Sequence, residues 1–206
     1  MAKQPVIPKS SNKRVMTKIV INPSDYVRSG FRANGAEVST CIVAAEQEFK
    51  PITPERMEAY TQDVLQAVRT NQLDRLKELY QNGARLDCCN RFGDTILNIA
   101  CRRGHTDMVE FLIRDARVPL FVRDDCKKTP LHDACWAPTA DFRLLDMLIR
   151  EAPEQLLLPD SRGFSPFDYV RRNDWNKWVK FLWERKELLR PALRLSLPEA
   201  DCEMRQ

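Results

Sequence analysis

The chain has 206 residues, with 30% charged and 43% hydrophobic side chains, an ordinary balance for a water-soluble protein. Its mean hydropathy of −0.47 and the lack of any apolar run near the roughly 18 residues of a membrane span argue against a membrane protein. A formal charge of +4 is too mild to argue by itself for nucleic acid.

Seven cysteines are spread along the chain: Cys41, Cys88, Cys89, Cys101, Cys126, Cys135 and Cys202. The number is odd, and the opening MAKQPVIPKSSNKR lacks the apolar stretch of a secretory signal. These features predict free thiols in a reducing compartment, cytoplasmic or nuclear, instead of a disulfide framework. No CxxC pair occurs, and adjacent Cys88 and Cys89 are poor partners for one metal, so no metal site is expected.

Residues 1–50 read as a basic, largely flexible N-terminal region. From Met1 to Ala36 seven basic residues stand against one acid, Asp25. Pro5, Pro8 and Pro23 break any period. A short apolar run, Ile19-Val20-Ile21, is a candidate strand or docking segment. The alternative role for this region is an arm that binds nucleic acid or an anionic membrane, or serves targeting.

A helix is predicted from residue 53. Thr53 can N-cap it, Pro54 suits the first helical position, and Glu55 favours the positive end of the helix dipole. Met57, Val64, Leu65 and Val68 follow at helical spacing. A second helix carries Leu73, Leu76, Leu79 and Tyr80, and Gly83 sits where a left-handed cap belongs.

From here the chain repeats. Asn71-Gln72 is followed 33 residues later by Gly104-His105. Thr95, Thr129 and Ser165 are 34 and 36 residues apart and open similar phrases: TILNIAC, TPLHDAC and SPFDYV. Each phrase starts with a capping hydroxyl, and two continue with a proline at the first helical position. The apolar stripe of Trp175, Trp178, Val179 and Leu182, beside Lys177, Lys180, Arg185, Lys186 and Glu187, reads as a terminal helix with one polar face. Residues 191–206 read as a tail.

These phrases resemble the ankyrin repeat, whose signature is TPLHxA about every 33 residues. Residues 129–134 match every fixed letter. Asp94, Thr95, Leu97, Ala100, Gly104-His105, Val109 and Phe111-Leu112 match further along, and NGARLD at 82–87 resembles the close of a repeat. The departures are Ile96 and Asn98 in one repeat, and Ser165, Phe167 and Asp168 in the last. The third repeat lacks the usual Gly-His between Pro138 and Asp141 and is expected to be irregular. The resemblance implies an all-α solenoid of about four stacked helix–turn–helix repeats over residues 51–190, with short β-hairpin-like fingers and a capping last repeat.

The same resemblance gives both histidines structural duties. A histidine at the position of His132 ties down the helix start, and His105 belongs to the turn between helices. Cys101 and Cys135 fall where the family usually has a small residue. No P-loop, GxGxxG or HExxH is present. The chain is therefore read as non-catalytic, with no cofactor.

The family's partner surface lies on finger tips and on the exposed side of the first helices. By position this implies Arg91, Phe92, Asp125, Lys127, Lys128 and Arg162 on fingers, and Arg102, Arg103, Asp133, Trp136, Tyr169, Arg172 and Trp175 on helices. Arginine beside large aromatics is typical of interface hot spots. Arginine grips carboxylates in a two-pronged way, so the expected partner is an acidic segment with an apolar anchor, bound by a monomer. Against this, Arg102 and Arg103 could form a plain solvated face, and Trp136 could fill space beside the irregular turn. A second alternative is a substrate-recruiting subunit of a ligase complex, because LLRPALRLSLPEA faintly resembles a recruiting box.

Overall fold

The computed structural model describes residues 21–35 and 49–189. Over them the chain is an all-α solenoid, and the only β feature among the described residues is one isolated bridge, Cys89 to Thr95. No helix there is long and apolar enough to cross a membrane.

Three helix pairs form its body: α3 (Gln62–Arg69) with α4 (Leu73–Gln81), α5 (Ile96–Arg103) with α6 (Thr106–Arg114), and α7 (Pro130–Trp136) with α8 (Phe142–Glu151). The first helices stack in a row, α3 on α5 on α7, and α7 on a single 3₁₀ turn at Pro166–Tyr169. The repeat spacing explains the row. Val64, Leu97, Leu131 and Phe167 hold equivalent places and are all buried. Ala67, Ala100 and Ala134 keep the backbones close, and Cys101 and Cys135 fill small buried places beside them.

At three helix starts the capping hydroxyl residue bonds to the side chain three positions on. Thr95 Oγ1 donates to Asn98 Oδ1 at 2.6 Å and accepts the Asn98 N–H at 3.1 Å. The Thr129 N–H donates to His132 Nδ1 at 3.1 Å, and the Ser165 N–H donates to Asp168 Oδ2 at 2.8 Å. Asn98 and Asp168, the departures from the signature, thus still serve the helix start. Gly104 closes α5 with φ 69°, a left-handed conformation that a Cβ would disfavour.

The third repeat is irregular as expected. In place of Gly-His, Asp141 caps α8 by accepting the N–H groups of Arg143 and Leu144 at 2.9 and 3.2 Å. It also takes the Thr106 hydroxyl, tying the turn to the preceding repeat. A 3₁₀ turn at Pro153–Leu157 then buries Leu156 and Leu157.

Several expectations are corrected. The first predicted helix is two: α2 (Pro54–Glu58) ends before α3 begins. Met57 is exposed, and Arg56 is buried in its place, donating to Asp87 at 2.8 Å and to the Pro51 carbonyl at 2.7 Å. In the terminal helix α9 (Trp175–Trp183), Trp178, Phe181 and Leu182 are buried, whereas Trp175 and Val179 are half-buried.

The largest correction concerns the basic region. Pro23–Ala33 forms a helix, α1, with Asn22 accepting the Ser24 N–H as its N-cap at 3.0 Å. It packs on the Pro166–Tyr169 turn and on α9 at the far end of the solenoid, taking the next place in the row of first helices. Val27 and Phe31 are buried there. Ser24 Oγ lies 2.8 Å from Ser165 Oγ, and Arg28 pairs with Asp168 at 3.1 Å. Asp25, Ser29 and Arg32 face outward, so α1 supplies a polar outer face for the last repeat. Of the candidate segment Ile19-Val20-Ile21, only exposed Ile21 lies among the described residues. Residues 1–20 and 36–48 of the basic region and the tail 191–206 lie outside them.

Candidate functional site

Three fingers precede the first helices, and in each an Asn or Asp side chain accepts backbone N–H groups of its own turn. Asn90 Oδ1 accepts the Phe92 and Asp94 N–H groups at 2.9 and 3.0 Å. Asp124 Oδ1 accepts the Lys128 N–H at 2.7 Å, and Asp160 Oδ1 accepts those of Arg162 and Phe164 at 2.8 and 3.0 Å. The fourth residue of each turn has positive φ and is Gly93, Lys127 or Gly163. The fingers join in series through Asp125 N–H to Phe92 O at 2.7 Å and Ser161 N–H to Cys126 O at 2.8 Å.

Between the first two fingers and helices α5 and α7 lies a groove of about 510 Å³. Phe92 and Trp136, 46% and 55% exposed, line it. Its floor is an ion cluster. Arg102 donates to Asp133 at 2.8 and 3.3 Å and to Asp94 at 2.8 Å. Asn98 Nδ2 donates to Asp133 at 2.8 Å. Burial pushes the carboxyls of Asp94, Asp124 and Asp133 above their ordinary values, and Arg102 opposes this at Asp94 and Asp133.

A cation–aromatic ladder continues beyond the groove. Lys128 Nζ sits 5.2 Å from the Trp136 ring and 5.1 Å from the Tyr169 ring. Trp136 and Tyr169 meet at 5.4 Å. Arg162 lies over Phe164 at 5.2 Å and bonds to the Tyr169 hydroxyl, which in turn donates to Asp160. Phe164 is 47% exposed. Such pairs fix long cationic side chains over rings and keep both at the surface.

Six of the expected residues therefore share one groove: Phe92, Arg102, Asp125, Lys128, Asp133 and Trp136. Tyr169 and Arg162 extend it along the ladder. Arg91 is stacked on Phe92 at 4.6 Å, and Lys127 is an exposed fingertip. Three placements differ from expectation. Asp133 is 3% exposed and is consumed by Arg102 and Asn98, so it supports the floor and presents nothing to a partner. Arg103 lies in a separate hollow with Pro138 and Phe142. Arg172 is apart too, over Trp175 at 5.8 Å.

The charge of the groove also departs from expectation. Four carboxylates line it against two cations, with Asp94 and Asp133 both paired to Arg102, so the groove holds more acid than base. Sequence reasoning missed Asn90, Asp94, Asp124 and Phe164. The turn-forming series Asn90, Asp124, Asp160 recurs at intervals of 34 and 36, as the capping hydroxyls do, and was a readable signal.

His132 and the buried thiols have structural occupations. His132 accepts at Nδ1 from Thr129, which places its proton on Nε2 for the Phe164 carbonyl at 3.1 Å. Burial lowers its pKa to about 4. Burial raises the Cys101 and Cys135 thiols well above their ordinary value and Cys88 to about 12, far from the thiolate a nucleophile needs. Asp124, Asp125 and Cys126 bring ligand-type atoms within 4.8 Å of one another, but Asp124 is occupied in holding its turn.

Residues 64–158 match the family model for ankyrin repeats, in three copies. A Caenorhabditis elegans protein named as a glutaminase 2 is 31% identical over 71 residues, which is 34% of this chain and 12% of that protein. The shared stretch is repeat sequence.

Proposed function

We propose, from the premise that residues 64–158 of this chain are ankyrin repeats, that it is a non-catalytic adaptor holding a partner protein on its finger and groove face. Ankyrin repeats are protein-binding modules. The observation that carries the finer reading is the exposure of Phe92, Trp136 and Phe164 along one face, with cations stacked among them. A monomer gains nothing from holding three large rings in water, whereas an interface buries them at its centre. The free cysteines among the described residues suit a reducing cytoplasmic or nuclear setting.

Affinity capture with the full chain and with the Phe92→Ala/Trp136→Ala variant tests this. Circular dichroism checks that the variant is folded. Partners held by the wild type should be depleted at least about tenfold, the usual effect of removing hot-spot aromatics. Undiminished capture by the folded variant would remove this face from consideration.

The arm and ligase alternatives are not favoured by any specific contact. Within the basic region, Arg28 is spent on Asp168 and Asp25. Of the LLRPALRLSLPEA stretch, Leu189 is buried beneath α1 near Gly30.

A further inference from the structure

We propose that the groove between Phe92 and Trp136 receives an arginine or lysine side chain of an extended partner segment, whose apolar neighbour packs on the two rings. This rests on the reading of this face as the partner surface and adds the charge of what it binds.

The groove is unequally charged. Asp94, Asp124, Asp125 and Asp133 line the groove, against Arg102 and Lys128. Both cations are held in place by contacts within the fold. Arg102 lies between Asp133 and Asp94, with three N–H contacts of 2.8 to 3.3 Å. Lys128 holds its ammonium over the rings of Trp136 and Tyr169. On the acid side, Asp124 uses one oxygen for the Lys128 N–H, and Asp125 is exposed. Arg91 and Lys127 stand on the fingertips, outside the groove lining.

The carboxylates also act on one another. Beyond burial, the largest cause, Asp124 raises the pKa of Asp94, Asp133 raises that of Asp124, and Asp94 raises that of Asp133. Arg102 outweighs the neighbouring acid at Asp94 and Asp133, whereas at Asp124 the Asp133 carboxylate acts more strongly than the Lys128 ammonium, which leaves the uncompensated charge at Asp124 and the exposed Asp125. An entering guanidinium or ammonium reduces it, and the bordering rings favour a cation that carries an apolar stem.

The net charge of the chain makes the test sharp. At +4 the whole protein attracts acidic peptides and repels basic ones. Only local charge in the groove can reverse that order. Three labelled synthetic peptides serve as probes for the full chain by fluorescence anisotropy: alternating Arg/Leu, alternating Glu/Leu, and alternating Arg/Ser. The Arg/Leu peptide should bind most tightly, and the Arg/Ser peptide more weakly for want of an apolar anchor. Asp124→Asn/Asp125→Asn should weaken Arg/Leu binding about tenfold. The Asn at 124 keeps the turn, because Asn90 already performs that task in the preceding finger.

Equal or tighter binding of Glu/Leu overturns the proposal, as does Arg/Leu affinity unchanged in the double Asn variant. In either case Phe92→Ala and Trp136→Ala still report on the face itself. If those variants leave peptide binding intact, the partner surface lies elsewhere and the reading of the face fails first.

Discussion

The third repeat and the end of the solenoid solve one problem in different ways. At Thr129 the capping residue, proline, stacking leucine and histidine all lie within four positions, and α7 follows them as a regular α-helix. At Ser165 the same signals are present, with Pro166, Phe167 and Asp168, yet only one 3₁₀ turn forms. The row of first helices is completed instead by α1, from the other end of the sequence. Ser165 and Asp168, which cap their own turn, also receive Ser24 and Arg28. A local code thus starts each repeat, and a distant segment decides how the last one ends.

The most severe way to break this comparison is to empty the α1 contact. Phe31→Ala removes a side chain only 3% exposed and should cost about 4 kcal/mol. Three of the four tryptophans lie at residues 175–183, so tryptophan fluorescence reports chiefly on the solenoid end, while circular dichroism reports on every helix. Urea unfolding should show the fluorescence transition moving to lower denaturant ahead of the circular dichroism transition. Coincident transitions with unchanged midpoints would mean that α1 is no part of the solenoid.

A change at the third repeat should produce a different signature, one of pH. His132 is neutral in the fold, with its pKa lowered from 6.5 to about 4 by burial. The unfolded chain takes up this proton at higher pH, so the contribution is complete above about 6.5 and is lost as pH falls toward 4. The loss by pH 4 is roughly 3 kcal/mol. His132→Asn, copying the residue that Asn98 provides one repeat earlier, should flatten that slope of stability between pH 6.5 and 4. An unaltered slope would show that the acid sensitivity arises elsewhere.

The smallest effect sharpens the comparison at the contact between α1 and the last turn. Arg28 and Asp168 are partly solvated, with side chains 35% and 16% exposed, so Arg28→Ala should cost only about 0.5 kcal/mol. That loss should shrink further in high salt, read as a shift in urea midpoint. A loss as large as that of Phe31→Ala would make the ion pair, and not apolar burial, the hold on α1.

The binding face was half legible. Phe92, Lys128 and Trp136 could be placed on it because repeat position fixes which side of a short helix or finger a residue occupies. The fate of charged residues could not be read that way. Asp133 follows His132 in the sequence and looks like an exposed helix residue, yet Arg102 of the previous repeat, 31 positions earlier, turns it into a buried counterion. Two of the five arginines that suggested an acidic partner, Arg102 and Arg162, are engaged with carboxylates within the fold. What remains at the groove is an excess of carboxylate, visible only once the two repeats are stacked.

The sequence by itself determined the repeat unit, its helix starts and its small-residue rows, because hydroxyl caps, prolines and apolar spacing act within a few residues of one another. It determined the turns of the fingers too, through Asn90, Asp124 and Asp160. Tertiary structure alone decided the destination of α1, the burial of Arg56 beside Asp87, and the sign of the groove. Each depends on a pairing between residues that only stacking brings together, with a free energy set by desolvation and charge instead of local conformation.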